Sequence, residues 1–153
     1  MLYSILCYES EALAAGRTKR EDDAMIGRLR GVLQKLKAEG KLGPVARLMP
    51  TTTATHIRSG KESSAVFDGP FAETKEQLLG FYVIDCPTLE EAIAAARLLG
   101  RERSHGTLEI RPVATFNPLG TPAEGGLPAG HAEVGPPDAG RPEAGPPDAG
   151  RSK

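Results

Sequence analysis

The run Leu78-Leu79-Gly80-Phe81-Tyr82-Val83-Ile84-Asp85-Cys86 restricts the fold more than any other stretch of the chain. Read as a strand, it turns Leu79, Phe81 and Val83 to one side and Gly80, Tyr82, Ile84 and Cys86 to the other. Both sides are apolar, so something must pack on each. Two helical patterns flank this strand in sequence. The right-handed rule for crossover connections puts both helices on the same face. The second face then needs another cover, and the simplest is a second copy of the same sheet.

The remaining segments fit around that strand. Residues 2–8 are almost uniformly apolar, and Tyr3, Ile5, Leu6 and Tyr8 favour a strand. The first helix opens at Thr18, whose spacing to Glu21 is that of a capping box, and Asp22 and Asp23 complement the positive end of its dipole. Met25, Leu29, Val32 or Leu33, and Leu36 form one apolar stripe, and Gly40 ends the helix. Gly27 and Gly31 share a face, which predicts a close approach of the helix backbone to the sheet. Val45 to Met49 forms a strand closed by Pro50. Residues 53–58 and 64–67 form a hairpin around Ser59-Gly60-Lys61-Glu62, with His56 opposite Ile57 and facing solvent. The second helix carries another capping-box spacing, Thr88 to Glu91, with Leu89, Ala92, Ile93, Ala96, and Leu99 or Gly100 turned inward. Thr107 to Val113 alternates as the last strand. The order is strand, helix, strand, inserted hairpin, strand, helix, strand. This is an α+β fold, a ferredoxin-like split β-α-β with one extra hairpin.

Composition narrows the function classes. The formal net charge is −1, which gives no broad basic face for nucleic acid, and there is no Trp to build a base-stacking platform. Cys7 and Cys86 are too few for a disulfide framework. They fall at opposite edges of two antiparallel strands, so no bridge between them is expected. A reducing, cytoplasmic setting follows from that cysteine usage. The first residues lack the charged region of a signal peptide, and no apolar run approaches the ~18 residues of a membrane span. His56, His105 and His131 have no metal-ligand spacing, and no glycine-rich loop precedes a helix, so neither metal nor cofactor is expected. Residues 118–153 are rich in Gly, Pro and Ala, and Gly135-Pro136-Pro137-Asp138-Ala139-Gly140-Arg141 recurs as Gly145 to Arg151. Such a segment cannot bury enough apolar surface to offset ordering entropy and is expected to be a disordered tail.

The chemistry is concentrated in Asp68-Gly69-Pro70-Phe71-Ala72-Glu73-Thr74-Lys75-Glu76. Asp68, desolvated by Phe67, Phe71 and a partner sheet, suits a general acid or base. Alternatively it accepts backbone N–H groups and fixes the Gly69-Pro70 turn. Glu73 and Lys75 suit ligand binding or a solvated loop. Arg47 suits a bidentate clamp on a carboxylate or a rim ion pair. Phe71, as an anchor aromatic, and Tyr82 complete the candidate ligand-binding set.

The same nine residues, followed by Gly80-Phe81-Tyr82 and closed by Glu109-Ile110-Arg111-Pro112-Val113, resemble the signature of the YCII-related, DGPF-type proteins. The resemblance covers residues 1–117 and implies a dimeric α+β barrel, with two sheets face to face. That fold is similar to muconolactone isomerase and chloromuconolactone dehalogenase. The shorter YCII branch carries a His-Asp pair with its His on the first helix, whereas residues 19–39 here contain no histidine. Many DGPF relatives are encoded beside, or fused to, extracytoplasmic-function sigma factors, which implies a regulatory or ligand-sensing role. Two function classes follow: a homodimeric module that binds a small molecule or regulates, and an isomerase- or lyase-type enzyme using Asp68. A closed pocket in which Asp68 meets Arg47, Lys75 or Tyr82 favours the enzyme. A solvent-facing Asp68 favours the module.

Cutting the chain after Asn117 is expected to move Tm by less than about 2 °C. The tail has few apolar side chains to contribute, and ordering each residue would cost roughly 1–2 kcal/mol of backbone entropy. Differential scanning calorimetry of the full and shortened chains checks this, and a loss of several degrees would mean that the tail docks.

Overall fold

A computed structural model describes residues 1–59 and 64–117. The expected tail and its repeat lie outside the described residues. Residues Met1–Val113 form one compact unit. Its strands are β1 (Leu2–Glu9), β2 (Leu42–Arg47), β3 (Thr55–Ser59), β4 (Ser64–Asp68), β5 (Gln77–Asp85) and β6 (Thr107–Pro112). Its helices are α1 (Glu11–Ala15), α2 (Lys19–Ala38) and α3 (Leu89–Arg101). Four strands form one antiparallel sheet in the order β2-β5-β1-β6, and β3 and β4 form a separate two-stranded sheet. With that hairpin set aside, the order is that of the ferredoxin-like fold.

The register explains which side chains enter the core. Ile5 lies opposite Tyr82 and Ile110, and Leu42 lies opposite Ile84. Tyr3, Ile5 and Cys7 therefore share a sheet face with Tyr82 and Ile84, and this face packs on both long helices. Met25, Leu29 and Leu36 of α2 and Ala92, Ala95, Ala96 and Leu99 of α3 complete the core. Full burial of a side chain such as Ile5, Ile84 or Leu99 contributes about 1.5–3 kcal/mol. Alanines on α3 let that helix lie close to the sheet, while the single stripe of α2 faces the same core.

The helix starts are local chemistry. Thr18 Oγ1 accepts from the Glu21 N–H, and the Glu21 carboxylate accepts from the Thr18 N–H at 2.8 Å and from Oγ1 at 2.7 Å. These bonds hold the Glu21 carboxyl below its ordinary range. At α3 only half of the expected box forms. Thr88 accepts from the Glu91 N–H, but the Glu91 carboxylate lies 3.1 Å from Lys41 Nζ. Tertiary charge pairing displaces the local bond there.

Several expectations need correction. Gly27 and Gly31 are exposed, and nothing lies within 4 Å of where a Cβ would stand on either, so they do not bring α2 onto the sheet. Leu89 is exposed and Ala95 is buried, because α3 is rotated by part of a turn from the expected inward set. β2 begins at Leu42 and includes Gly43-Pro44, with a register shift between Leu42 and Val45, and Met49 lies beyond its end. The hairpin faces are inverted. Ile57 is 63% exposed, while His56 is half-buried. His56 stacks on Phe67 with ring centroids 5.0 Å apart, and its Nδ1 lies 3.0 Å from the Gly69 carbonyl. α1 has no counterpart in the sequence expectation.

Both cysteines are free and buried. Cys7 lies opposite Gly80, whereas the Cys86 N–H donates to the Met1 carbonyl. About 20 Å of strand therefore separates them, well beyond disulfide reach. Among the described residues, no helix is long and apolar enough to cross a membrane.

Gly80 is a steric requirement of the sheet. A Cβ there would overlap the Ala46 carbonyl oxygen on β2, and its φ of 157° also disfavours a side chain. Gly80→Ala is expected to destabilise the fold by roughly 1–3 kcal/mol, as measured by urea unfolding. A neutral result would mean that β2 and β5 separate there without penalty.

Candidate functional site

The sequence-predicted site residues fall into two places. Asp68 ends β4 opposite Thr55, and it is exposed. No hydrogen bond or ion pair joins its carboxylate to another described residue. The turn after it is held by other groups. Gly69, at φ 87°, donates its N–H to the Ala54 carbonyl at 2.7 Å, and its own carbonyl accepts from His56 Nδ1. A carbonyl cannot donate, so Nδ1 carries the proton. The Arg58 guanidinium lies over the Phe67 ring, 5.7 Å from its centre. The turn-capping bonds expected of Asp68 are thus made by backbone and His56. Phe71, Glu73 and Lys75 follow on the same segment, all exposed, with Phe71 at 84%.

Arg47 and Tyr82 lie elsewhere, on the helix-covered face of the sheet. Arg47 is opposite Gly80, and Tyr82 is two positions along the same face. Arg47 makes two bonds of 3.1 Å to the Asp22 carboxylate on α2. Tyr82 is buried, which raises its hydroxyl pKa, with the Arg103 and Arg47 guanidinium groups opposing part of that rise. Burial likewise pushes the Cys7 thiol up, opposed in part by Arg103. Cys7 is therefore a neutral core thiol and not an activated nucleophile. The described chain brings Arg47 and Tyr82 together and leaves Asp68, Phe71, Glu73 and Lys75 on the exposed segment.

A polar cluster that the sequence reading missed occupies the end of the sheet beyond Cys7. Glu9 is the buried charged residue among the described residues, at 3% exposure. Arg17, on the link between α1 and α2, grips it with both terminal nitrogens. Arg17 Nε lies 3.8 Å from Asp22, the same carboxylate that holds Arg47. The hydrogen bond to Glu9 raises the Arg17 pKa further. The available signal was parity. Tyr3, Ile5 and Cys7 point inward, so Glu9 must as well, and a buried carboxylate demands a cation.

Glu11 anchors the base of the hairpin. Its carboxylate accepts from the Thr51 N–H at 2.6 Å and the Thr51 hydroxyl at 2.7 Å, in the 3-10 turn Thr51–Thr53. Gln77 Oε1 in turn accepts from the Glu11 N–H at 3.1 Å, and Gln77 Nε2 donates to the Thr74 carbonyl at 2.6 Å. Both roots of the projecting segment are thereby tied to the start of α1. The DGPF-type motif is positioned through these bonds.

Two concavities flank the helices. One, of about 520 Å³, lies between α3 and β6 and is lined by Ile93, Ala96, Leu108 and Ile110 with Arg97 and Arg101. The other, of about 530 Å³, lies between α1, the first half of α2 and residues 104–105, and is lined by Leu13, Arg17, Arg20, Met25, Arg28 and His105 among others. Both are within the roughly 300–1,000 Å³ range of small-molecule sites. Among the described residues, no group of three or more His, Cys, Asp or Glu side chains is placed to hold a metal.

A family model for the YCII-related domain matches residues 1–117. An uncharacterised protein of Rhizobium meliloti (strain 1021) is similar to this chain, 50% identical over 119 residues. The alignment covers 77% of this chain and 96% of that protein.

Arg17→Met is expected to cost about 3–5 kcal/mol, because it strands a buried carboxylate. The double variant Glu9→Leu/Arg17→Met should recover most of that loss. Urea unfolding of both proteins checks this, and equal destabilisation of single and double variants would overturn the assignment.

Proposed function

The chain belongs to the YCII-related domain family, and from that premise we propose that it is a homodimeric small-ligand-binding module whose sheets close on each other. The observation that carries this is the sheet face without helices. The register sets Ala46, Phe81, Leu6 and Glu109 in one row across that face. Phe81, Leu6 and Tyr8 are only half-buried, although they stand in the middle of the sheet. The hairpin adds Ile57, Val66, Phe67 and Phe71 as exposed apolar side chains. An isolated two-stranded sheet is marginal in water, so a partner surface stabilises it. A second copy presents the same apolar set and covers both at once.

Binding is favoured over catalysis by the position of Asp68. It faces solvent on the hairpin, whereas Tyr82 is buried on the helix-covered face and the exposed Arg47 is held by Asp22 of α2. A regulatory role beside an extracytoplasmic-function sigma factor, in the cytoplasm, fits a binding module, and co-purification with such a factor tests it. One observation favours a second reading, an isomerase- or lyase-type enzyme. The Asp68 carboxylate is free of described partners and therefore open to a substrate proton.

Light scattering at micromolar concentration should report a dimer, and Phe81→Glu should convert it to monomer. A wild-type monomer would sink the proposal. Asp68→Asn and Asp68→Ala should each change stability by no more than about 0.5 kcal/mol, since no native bond is lost. A clear gain for Asp68→Asn in urea would reveal a desolvated charge and put the enzyme reading first.

A further inference from the structure

The cleft between α1 and α2 has a composition that the proposed dimer does not use. Arg17, Arg20 and Arg28 line it together with His105, against one acid, Glu21. The Glu21 carboxylate is already committed to Thr18. Arg28 is paired with Glu102 at 3.1 Å, whereas Arg20 has no hydrogen bond or ion pair to any described residue. Part of the lining is apolar. Ala12, Ala24 and Met25 contribute to it, and Leu13 is 52% exposed beside it.

A second observation concerns unsatisfied donors. Among the described residues, two buried side-chain polar atoms lack a hydrogen-bond partner, Arg17 Nε and Arg103 Nε. Arg17 lines the cleft, and Arg103 immediately precedes its Ser104-His105 wall. Arg17 Nε has the Asp22 carboxylate 3.8 Å away, so its guanidinium is already balanced by two acids, and the polar groups of the cleft open to a ligand are Arg20 and His105. Charge-assisted bonds from guanidinium groups suit a carboxylate or phosphate, and the apolar lining suits a hydrocarbon body.

We propose that this cleft binds a small amphiphilic anion, a carboxylate or phosphate ester carrying an apolar group. Arg20 and His105 hold its charged head, and Leu13 and Met25 pack on its body. Arg17 braces the floor while remaining paired with Glu9. This inference rests on the ligand-binding part of the proposed function, but it places the ligand away from Asp68 and from the helix-free sheet face.

The test uses the full chain and four probes: phenyl phosphate, benzoate, inorganic phosphate and neutral benzyl alcohol. Binding is followed by two-dimensional NMR up to about 10 mM probe, a range that detects even weak millimolar affinity. Phenyl phosphate or benzoate should shift signals clustered at Leu13, Arg20, Met25 and His105. Stronger binding of one of the two identifies the head group. Inorganic phosphate should bind more weakly because it cannot use the apolar lining, and benzyl alcohol for want of the charge. Arg20→Gln should weaken the preferred probe by about tenfold, with Arg20→Lys restoring part of it. No shifts, shifts centred elsewhere, equal binding of benzyl alcohol, or unchanged affinity in Arg20→Gln would each overturn the assignment. Light scattering on the same samples separates the two proposals. A monomer that binds at the cleft sinks only the dimer, and a dimer that does not bind sinks only the anion site.

Discussion

The carboxylate of Glu9 stands at the last inward position of β1, and the arrangement of the polar end follows from it. A buried charge is tolerable only when paired, so Arg17 must reach into the layer between helices and sheet. That requirement sets the path of the link between α1 and α2. The same Arg17 approaches Asp22, and Asp22 in turn grips Arg47 at the end of β2. One strand position thus locates two helices and an edge strand relative to each other. Breaking this chain of contacts at Arg17 leaves charge in an apolar setting, which is why its effect exceeds that of a surface ion pair.

The two faces of the sheet are satisfied by different means. One face carries a packed core of branched, aromatic and small residues under α2 and α3. The other keeps Leu6, Tyr8 and Phe81 half-covered and is bordered by a hairpin whose larger apolar side chains are exposed. That hairpin is tied at its roots through Glu11, Thr51 and Gln77, so it projects with a defined base. A rigid root with an apolar surface fits the dimer proposed above. It also separates the DGPF-type motif from the cleft on the helical side, which leaves two surfaces available for different tasks.

Local chemistry was readable from the chain alone. The capping box at Thr18 and Glu21, the stripe Met25, Leu29 and Leu36, the hairpin, and the two-faced strand from Leu78 each depend on near neighbours or strict periodicity. The order of elements then restricted the fold to the ferredoxin-like α+β arrangement, because antiparallel pairing and crossover handedness leave few alternatives. Spacing also separated Cys7 from Cys86, since antiparallel neighbours place their ends apart.

What depended on distant partners was not readable. Glu91 has the spacing of a capping box, but Lys41 takes its carboxylate. His56 alternates with Ile57, but the stack on Phe67 and the Gly69 carbonyl decide which of the two is covered. Asp68 has the chemistry of an acid or a turn cap, yet the backbone supplies the turn bonds and leaves the carboxylate in solvent. Residue type groups Arg47 and Tyr82 with that motif, while the sheet register puts them on the helix-covered face, Tyr82 buried and Arg47 exposed but paired with Asp22. Periodicity and capping determine the elements and their order, because those forces act within a few residues. Charge pairing, the facing of the hairpin and the separation of the two candidate surfaces were decided only in the tertiary structure, because their partners lie far apart in the chain and meet through strand register.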